Sequence, residues 1–557
     1  MDGSETAQPS RARTWWWIAV IAIGGTAVAA AAHFLLPLFL ERNDIRWLVV
    51  EGVAAICIAA VLLLLIKRAV GLTATLTLVV VLIAAFAGSF EIQWRGDMQQ
   101  SVRPRFWLRT VLARAGYEFG DVVHEARAAQ TALAITPAST DSPQFLGGPA
   151  RLGVDSGVVG RLARDWSAQP PRELWRKSMA DGWSSFAVAG HYGFTQEQST
   201  DGAAELVTCY DLNTGELQWA HSDAGGHDWF LGGKGPRATP AFRALSATDM
   251  RLVAIGSNGL VNCLDAATGR VLWSHDLVKE MQVDTAQWGK SESPLIIDSA
   301  QHGPIVVIAA GVKPEHLGGY GPGPNPPAAL VAFRLADGGE VWRGGDFSAG
   351  YCSPQLSNVG GVPQILIVHW QTVVGHDPET GKPLWSWENW RGGDPKVPQP
   401  VVIDDHRVLA SSGYGVGCRM LEVKQDGTAW QVKELWKSNK LKPKFSNVVV
   451  RAGHVYGIDD GEFLACLDLA DGKLKWRSPR GKNLGHGQVL LIDDLLIVTT
   501  EFGDVLLCEA NQDEYRELGR FTALPKGITW NMPMLWGHKL LLRNDDEAAC
   551  YELPLAK

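Results

Sequence analysis

The chain has 557 residues, which is too long for one ordinary domain unless the sequence repeats itself. Hydrophobic residues make up 46% and charged residues 20% of it, so the composition is that of a folded protein and not of a disordered chain. The net charge of −8 argues against a nucleic-acid partner.

Three long apolar segments occupy the first 92 residues. The segment 15–40 contains no Asp, Glu, Lys or Arg, and at about 1.5 Å per helical residue it is long enough to cross a bilayer. The segment 69–90 is also free of charge, and 47–66 carries one acid near its start. We therefore predict a membrane domain over 1–92 with three transmembrane helices.

Basic residues near the ends of these segments predict their orientation. Arg11 and Arg13 precede the first segment, and Lys67 and Arg68 join the second to the third. Since positive residues favour the cytoplasmic side, we predict a multi-pass protein of the inner (cytoplasmic) membrane with the rest of the chain on the periplasmic, extracytoplasmic side. Residues 93–145 are predicted to be a connector, because 136–143 are rich in Pro, Ser and Thr.

A repeated motif, Asp-x-x-Thr-Gly-x-x-x-Trp, dominates the remainder of the chain. Clear copies occupy 211–219, 265–273 and 377–385, and weaker ones occupy 468–476 and 336–342. Asp and Thr oxygens can hold the N–H groups of a hairpin turn, Gly supplies a positive φ, and a large side chain opens the next strand. The motif therefore predicts a series of β-hairpins.

The spacing of the tryptophans predicts the number of repeats. The series consists of Trp175, Trp219, Trp273, Trp342, Trp385, Trp436 and Trp476, with a degenerate copy near Leu518. Intervals of this length fit one four-stranded blade each, so we predict an all-β, eight-bladed β-propeller over 146–557. Trp175 begins an outer strand without a partner, and 548–553 end on a third strand, so the two chain ends are expected to complete one blade.

The motif, its repeat length and its count resemble the PQQ-like repeats of the quinoprotein alcohol dehydrogenase-like superfamily. That superfamily contains PQQ-dependent dehydrogenases and also noncatalytic propellers of the BamB type. The resemblance covers about 143–557. It implies a propeller fold, and it implies that the repeated tryptophans pack between neighbouring blades as structural residues.

Five cysteines recur at one position of the repeat: Cys209, Cys263, Cys466, Cys508 and Cys550. Equivalent positions of different blades are too far apart for a disulfide, so we predict that all five are reduced, buried thiols. No Cys or His spacing predicts a metal site.

Segments that should begin the innermost strands predict a cluster at one mouth of the central channel. The candidate ligand-binding residues are Trp183, Arg237, Trp288, Lys290, Lys444, His486, Gln488, Trp530 and Asn531. Cations can pair with an anion and indoles can stack on a flat ligand, so the set favours a planar or anionic ligand. The alternative, that these are ordinary polar residues of channel strands, stays open.

Catalysis with PQQ would further need a Ca²⁺ cage of oxygen ligands and a carboxylate base. Among the predicted strand starts Glu292 is the one acid, a weak candidate for base or ligand; Asn447, Asn531 and Asp346 could add oxygens. Because carboxylates are scarce, we predict a noncatalytic binding or scaffold module of the cell envelope with a cell-envelope protein as partner and no cofactor. The alternative is a membrane-bound, PQQ- and Ca²⁺-dependent dehydrogenase that oxidises an alcohol or sugar.

Overall fold

The structure is a computed structural model that describes most of residues 126–556. Gaps fall at 140, 147–152, 155–160, 200–201, 230–231, 313–325, 389, 391–394, 482–483 and 526. Before residue 126 it describes only 80–81, 84–85, 87, 89–94 and 100–104.

The described N-terminal residues contradict the predicted multi-pass location in the membrane. Within the described residues no helix is long and apolar enough to cross a bilayer. The predicted spans 15–40 and 47–66 lie outside the described residues, as does most of 69–90. The last residue predicted for the third span instead begins a strand, β1 (Phe90–Trp94), which pairs antiparallel with β2 (Gln100–Pro104).

The propeller belongs to a separate unit of the chain, and its strands follow in order. Before the first complete hairpin come β3 (Gly153–Val154) and β4 (Arg172–Ser178). Blade 1 contains β5 (Ala187–Ala189), β6 (Tyr192–Gln198), β7 (Ala204–Asp211) and β8 (Glu216–Ala224). A short separate hairpin of β9 (Asp228–Trp229) and β10 (Gly233–Lys234) follows. Blade 2 contains β11 (Ala241–Ala244), β12 (Met250–Ile255), β13 (Leu260–Asp265) and β14 (Val271–Asp276). A short helix, α1 (Leu277–Met281), follows and is capped by the Asp276 side chain.

The next three blades have the same order of strands. They contain β15 (Leu295–Ser299), β16 (Gly303–Ala309), β17 (Leu330–Arg334), β18 (Glu340–Gly344), β19 (Gln355–Val359), β20 (Val362–Val368), β21 (Val373–His376), β22 (Pro383–Trp387), β23 (Val401–Val402), β24 (Arg407–Ser412), β25 (Gly417–Asp426) and β26 (Ala429–Ser438). Blades 6 to 8 contain β27 (Val449–Arg451), β28 (His454–Asp459), β29 (Phe463–Asp468), β30 (Leu474–Arg477), β31 (Gln488–Ile492), β32 (Leu495–Thr499), β33 (Asp504–Glu509), β34 (Glu517–Thr522), β35 (Met534–Trp536), β36 (Lys539–Arg543) and β37 (Glu547–Glu552).

These strands form eight four-stranded antiparallel blades, which confirms the predicted propeller. The prediction that the chain ends share one blade is also confirmed, because β4 pairs with β37 as the outer strand of blade 8. The guanidinium of Arg543 in β36 strengthens this junction by donating to Thr195 Oγ1 at 2.6 Å and to the Gln196 carbonyl at 2.9 Å in blade 1. The hydrophobic clusters lie mainly between neighbouring blades, so the core is formed where the sheets face one another.

We call the end of the propeller at which innermost strands begin the upper face, and the end at which they finish the lower face. The motif turns join third to fourth strands and therefore lie at the lower face. There, six of the seven tryptophans donate their indole N–H to a carbonyl just after the third strand of the next blade: Trp175, Trp219, Trp273, Trp342, Trp436 and Trp476, at 2.7–3.2 Å. Each indole thus joins two blades.

The motif glycine has a second purpose besides its positive φ. Gly269 has φ +75°, and a Cβ there would lie 2.7 Å from Cε3 of Trp219, which is fully buried. Any larger residue would displace the indole from beneath the turn. Trp385 is the exception among the seven, since its N–H donates to Gln364 of its own blade at 2.6 Å.

The predicted connector contributes to the lower face. Its last residues hydrogen-bond to the innermost strands of blades 1 and 2, where the Val188 N–H donates to the Ser142 carbonyl and the Phe242 N–H to that of Pro143. Leu146 then packs in the core cluster of blades 6 to 8, and β3 pairs parallel with β31 of blade 7. The segment therefore crosses the lower end of the channel from one side of the ring to the other.

All seven cysteines among the described residues are buried free thiols. Burial raises the pKa of Cys209, Cys263, Cys466 and Cys550 above the ordinary value of a thiol. These cysteines serve as small apolar residues of the interblade core.

Candidate functional site

One buried polar residue stands at the upper start of each innermost strand. Together these eight residues, which we call the polar belt, are Ser185, Thr239, Ser293, Ser353, Gln399, Asn447, Gln488 and Asn531. Each is at most 5% exposed.

The belt links each blade to the next through a hydrogen bond. The Ser185 N–H donates to Thr239 Oγ1 at 3.0 Å, the Thr239 N–H to Ser293 Oγ at 2.9 Å, and the Ser293 N–H to Ser353 Oγ at 2.9 Å. Gln399 exchanges two hydrogen bonds with the backbone of Ser353 when its amide is oriented to satisfy both. Its own N–H donates to Asn447 Oδ1 at 2.8 Å.

Longer amide side chains complete the ring on the other side. Gln488 Nε2 donates to the carbonyls of Phe445 at 2.9 Å and Trp530 at 2.8 Å, and so joins blade 7 to blades 6 and 8. Asn531 Nδ2 donates to the Ser184 carbonyl at 2.9 Å, which joins blade 8 to blade 1. Two predicted ligand residues, Gln488 and Asn531, thus have a part in holding the blades together.

A second ring of side chains lies just before the belt, one or two residues earlier in each blade. This mouth layer consists of Trp183, Arg237, Ser291, Tyr351, Val397, Phe445, His486 and Trp530. It contains no acidic residue.

Aromatic rings fill one side of the mouth layer. The ring centroids of Trp183 and Trp530 are 4.7 Å apart, and those of Trp530 and Phe445 are 4.9 Å apart. Phe445 also meets His486 edge to face at 5.3 Å. Phe445 belongs to blade 6 and Trp530 to blade 8, so blade 7 lies between them in the ring. Because their rings are nevertheless in contact, both side chains must project toward the channel.

Arg237 carries the positive charge of the opposite side. Burial lowers the pKa of its guanidinium to about 10, while Tyr351 and Glu205 favour its charged form, so it remains a cation at neutral pH. Burial and the nearby Arg237 charge lower the pKa of His227 to about 3, which keeps that imidazole neutral. Burial raises the pKa of Glu205, whose carboxylate accepts from the Ser257 N–H at 2.8 Å and from the Ser257 hydroxyl.

The other predicted residues separate into two groups. Trp288 packs on Tyr351 with centroids 5.3 Å apart, so it belongs to the mouth. Lys444 Nζ lies 3.4 Å from His486 Nε2 and 3.4 Å from Asp460 Oδ1, at the edge of the aromatic side. Lys290 is not part of this cluster.

Lys290 and Glu292 form a buried ion pair within blade 3. Their Nζ and Oε1 atoms are 3.3 Å apart, and each residue is 2% exposed. Lys290 Nζ also donates to the Ala309 carbonyl at 2.8 Å, and Glu292 Oε2 accepts from the Ser291 N–H at 3.0 Å. The carboxylate that we considered for a base is therefore engaged by a cation and closed off from solvent.

Two buried histidines adjoin this ion pair. His376 Nδ1 lies 2.9 Å from the Gly381 carbonyl and must carry the proton, so its Nε2 accepts the proton of His369 Nε2 at 3.3 Å. Burial lowers the pKa of both, that of His376 to about 4, and the charges of His376 and Lys290 add to the effect at His369. His369 stacks on Phe347 at 5.3 Å.

The residues at the mouth do not supply the Ca²⁺ cage that a PQQ enzyme would need. Glu292 is paired with Lys290, Asn447 and Asn531 belong to the polar belt, and Asp346 is exposed. Across the part of the chain that the structure describes, no group of three His, Cys, Asp or Glu side chains could hold a metal ion.

Four mouth-layer residues were missed by our sequence interpretation: Ser291, Tyr351, Val397 and Phe445. All four lie in the segments that begin the innermost strands, but within those segments we chose mainly charged and indole side chains. The position of the residue before the belt, and not its charge, is the signal that would have found them.

The fold is that of a β-propeller, and part of the sequence is similar to a known family. Residues 203–478, from the third strand of blade 1 to the end of blade 6, match a family model described as outer membrane protein assembly factor BamB. No curated protein matches the sequence significantly.

Three solved structures resemble the chain at low sequence identity. BamB from Moraxella catarrhalis is 14% identical, with 69% of this chain and 100% of that chain covered and a TM-score of 0.45. The quinohemoprotein alcohol dehydrogenase ADHIIG from Pseudomonas putida HK5 is 12% identical, with coverage of 75% and 81% and a TM-score of 0.48. The computationally designed Ika8 protein is 12% identical, with coverage of 69% and 100% and a TM-score of 0.42.

Proposed function

We propose that the protein is a noncatalytic binding propeller that takes up a ligand, or a segment of a partner, at its upper channel mouth. The observation that carries this proposal is the buried ion pair of Lys290 and Glu292, because it removes the one carboxylate of the strand starts from chemistry. What remains at the mouth is a layer of aromatic and cationic side chains. Such a layer provides stacking faces and positive charge but no carboxylate base.

A protein partner is the second part of the proposal. The family matched by 203–478 is described as an assembly factor, and on that likeness we propose that the propeller works together with a protein of the cell envelope. The ring of eight linked strand starts supports this role, since a rigid ring presents its upper loops in a fixed arrangement.

Reconstitution with PQQ and Ca²⁺ tests the proposal against the dehydrogenase alternative. The full chain is incubated with both, and dye reduction is followed with a panel of alcohols and sugars while the melting temperature is recorded. We expect no PQQ-dependent turnover and no rise in melting temperature. Turnover that depends on PQQ and is lost in Glu292→Gln, but kept in the exposed control Glu514→Gln, would establish the dehydrogenase instead.

A further inference from the structure

Four buried polar atoms without a hydrogen-bond partner lie together where blades 7, 8 and 1 meet. They are Nε1 of Trp183, Nε1 of Trp530, Oε1 of Gln488 and Oδ1 of Asn531. The two indoles are in contact, Gln488 is bonded to the Trp530 carbonyl, and Asn531 follows Trp530 in the chain. Buried polar atoms in native proteins are nearly always paired with protein groups, ordered water or a ligand, so these four atoms mark a place where hydroxyl groups can bind.

The donors and acceptors in this group can be assigned without ambiguity. An indole N–H only donates. Gln488 Nε2 and Asn531 Nδ2 each donate to two carbonyls, so the amide oxygens, and not the nitrogens, are the atoms left over. The site therefore offers two donors and two acceptors.

This combination excludes simple ions as the matching ligand. A carboxylate would satisfy the indole N–H groups but not the amide oxygens, and an ammonium group would do the reverse. A hydroxyl group both donates and accepts, so a ligand with several hydroxyl groups can satisfy all four atoms.

Aromatic surface lies beside these atoms. Trp183, Trp530 and Phe445 form a continuous contact, and Trp530 and Phe445 are half-buried, so they keep some surface facing outward. A ring with an apolar face and polar edges can stack on such a surface while its edges make hydrogen bonds.

We propose that this corner of the mouth binds a pyranose sugar, with its C–H face on Phe445 and its hydroxyl groups on the indole N–H groups and the amide oxygens. The inference rests on the proposed function as a binding propeller and names the ligand class of that site. The sugar enters from the upper face and shifts Trp530, the outer of the two indoles.

Tryptophan fluorescence and calorimetry of the full chain without PQQ test the inference. The probes are methyl α-glucopyranoside and N-acetylglucosamine, with benzoate as an aromatic carboxylate lacking hydroxyl groups. We expect saturable sugar binding with a Kd of about 1 mM or tighter and no saturable binding of benzoate. Trp530→Phe removes one donor and part of the stacking surface and should weaken sugar binding about 10-fold or more.

Trp536→Phe is the matched control. Trp536 ends the strand that Trp530 precedes, at the lower face, where Lys539 Nζ lies 3.9 Å from its ring centroid. It should bind sugar as the wild type does. Absence of saturable binding by either sugar, equal affinity in Trp530→Phe, or benzoate binding as tight as sugar binding would each overturn the inference.

The same protein separates this inference from the proposed function. If either sugar is oxidised once PQQ and Ca²⁺ are added, the noncatalytic function is wrong although the sugar site stands. If no sugar binds and no turnover occurs, the sugar site is wrong although the binding propeller stands.

Discussion

The lower and upper faces of the propeller join neighbouring blades by different chemistry. At the lower face one residue type in one motif does the work, because an indole from each of six blades reaches beneath the turn of the next. At the upper face the polar belt uses Ser, Thr, Gln and Asn at equivalent places, and the bonds differ in which partner donates. The same junctions are thus secured by large apolar side chains below and by small polar ones above.

The difference teaches that a repeated structural task need not leave a repeated sequence. An indole fits under a turn in only one way, so the lower face keeps its motif. A hydrogen bond across a short gap can be made by several side chains, so the upper face varies from blade to blade and can add aromatic and charged residues for binding.

Removing one indole should give the largest effect and tests the lower face directly. Trp219→Ala deletes a fully buried side chain and its hydrogen bond to Ala266, so we expect a loss of about 5 kcal/mol in the free energy of unfolding, the upper end for Trp-to-Ala changes. Urea denaturation measures it. Trp536→Ala, a half-buried indole outside the series, is the control, and an equal loss there would show that the interblade position has no special weight.

Breaking the ion pair tests whether the mouth also depends on buried charge. Glu292→Gln leaves the Lys290 ammonium buried without its carboxylate, which should cost about 3–5 kcal/mol. Lys290→Met combined with Glu292→Gln should recover part of that loss, since no charge is then buried. If the single variant were as stable as the wild type in urea, Glu292 would not be the partner of Lys290.

Acidification should act through the histidine pair next to this site. The pKa of His376 is lowered from 6.5 to about 4, so the folded state favours the neutral form, and its contribution is fully present above pH 6.5 and is lost as the pH falls toward 4. The shift corresponds to about 3 kcal/mol. Melting temperatures between pH 7.5 and 4.5 should fall less steeply in His376→Gln than in the wild type, and parallel curves would contradict the assignment.

Removing the hydroxyl of one belt residue should cause the smallest loss of stability among these changes, and it tests the contrast between the two faces. Ser293→Ala removes the acceptor of the Thr239 N–H, so about 1–2 kcal/mol of stability should be lost through one unpaired group. Ser357→Ala, a half-buried serine on an inner strand outside the belt, should change stability little. A loss from Ser293→Ala as large as that from Trp219→Ala would remove the distinction between the two faces.

The sequence allowed the blade count, the strand order and the closing blade to be predicted, because the turn motif is local and its chemistry is strict. The belt was not predicted, although Thr239, Ser293, Ser353 and Gln399 each precede a proline, which is a common positional signal. The role of the polar residue before each proline depends on contacts between blades, and the sequence alone does not show these contacts. Residues 136–143 were predicted as linker from composition, which does not reveal that the end of this stretch supplies carbonyls to the inner strands.

Only part of the candidate site could be predicted, because its contacts between blades are also not visible in the sequence. Charged and indole residues could be assigned to the strand starts, and Trp183, Arg237, His486 and Trp530 do lie in the mouth layer. Lys290 was assigned to the mouth by residue type, and the structure pairs its ammonium group with the Glu292 carboxylate. Whether a side chain at a strand start faces the channel or its own blade depends on the partner it finds, and that partner is set by tertiary packing.

The segment that crosses the lower end of the channel has a consequence for traffic through the ring. A propeller open at both ends could act as a conduit, with entry at one face and exit at the other. Here the Ser142 and Pro143 carbonyls are bonded to inner strands near the lower end, so a molecule passing through the ring would have to avoid or displace this segment. A ligand of the proposed site that enters and leaves through the upper mouth would leave these hydrogen bonds intact.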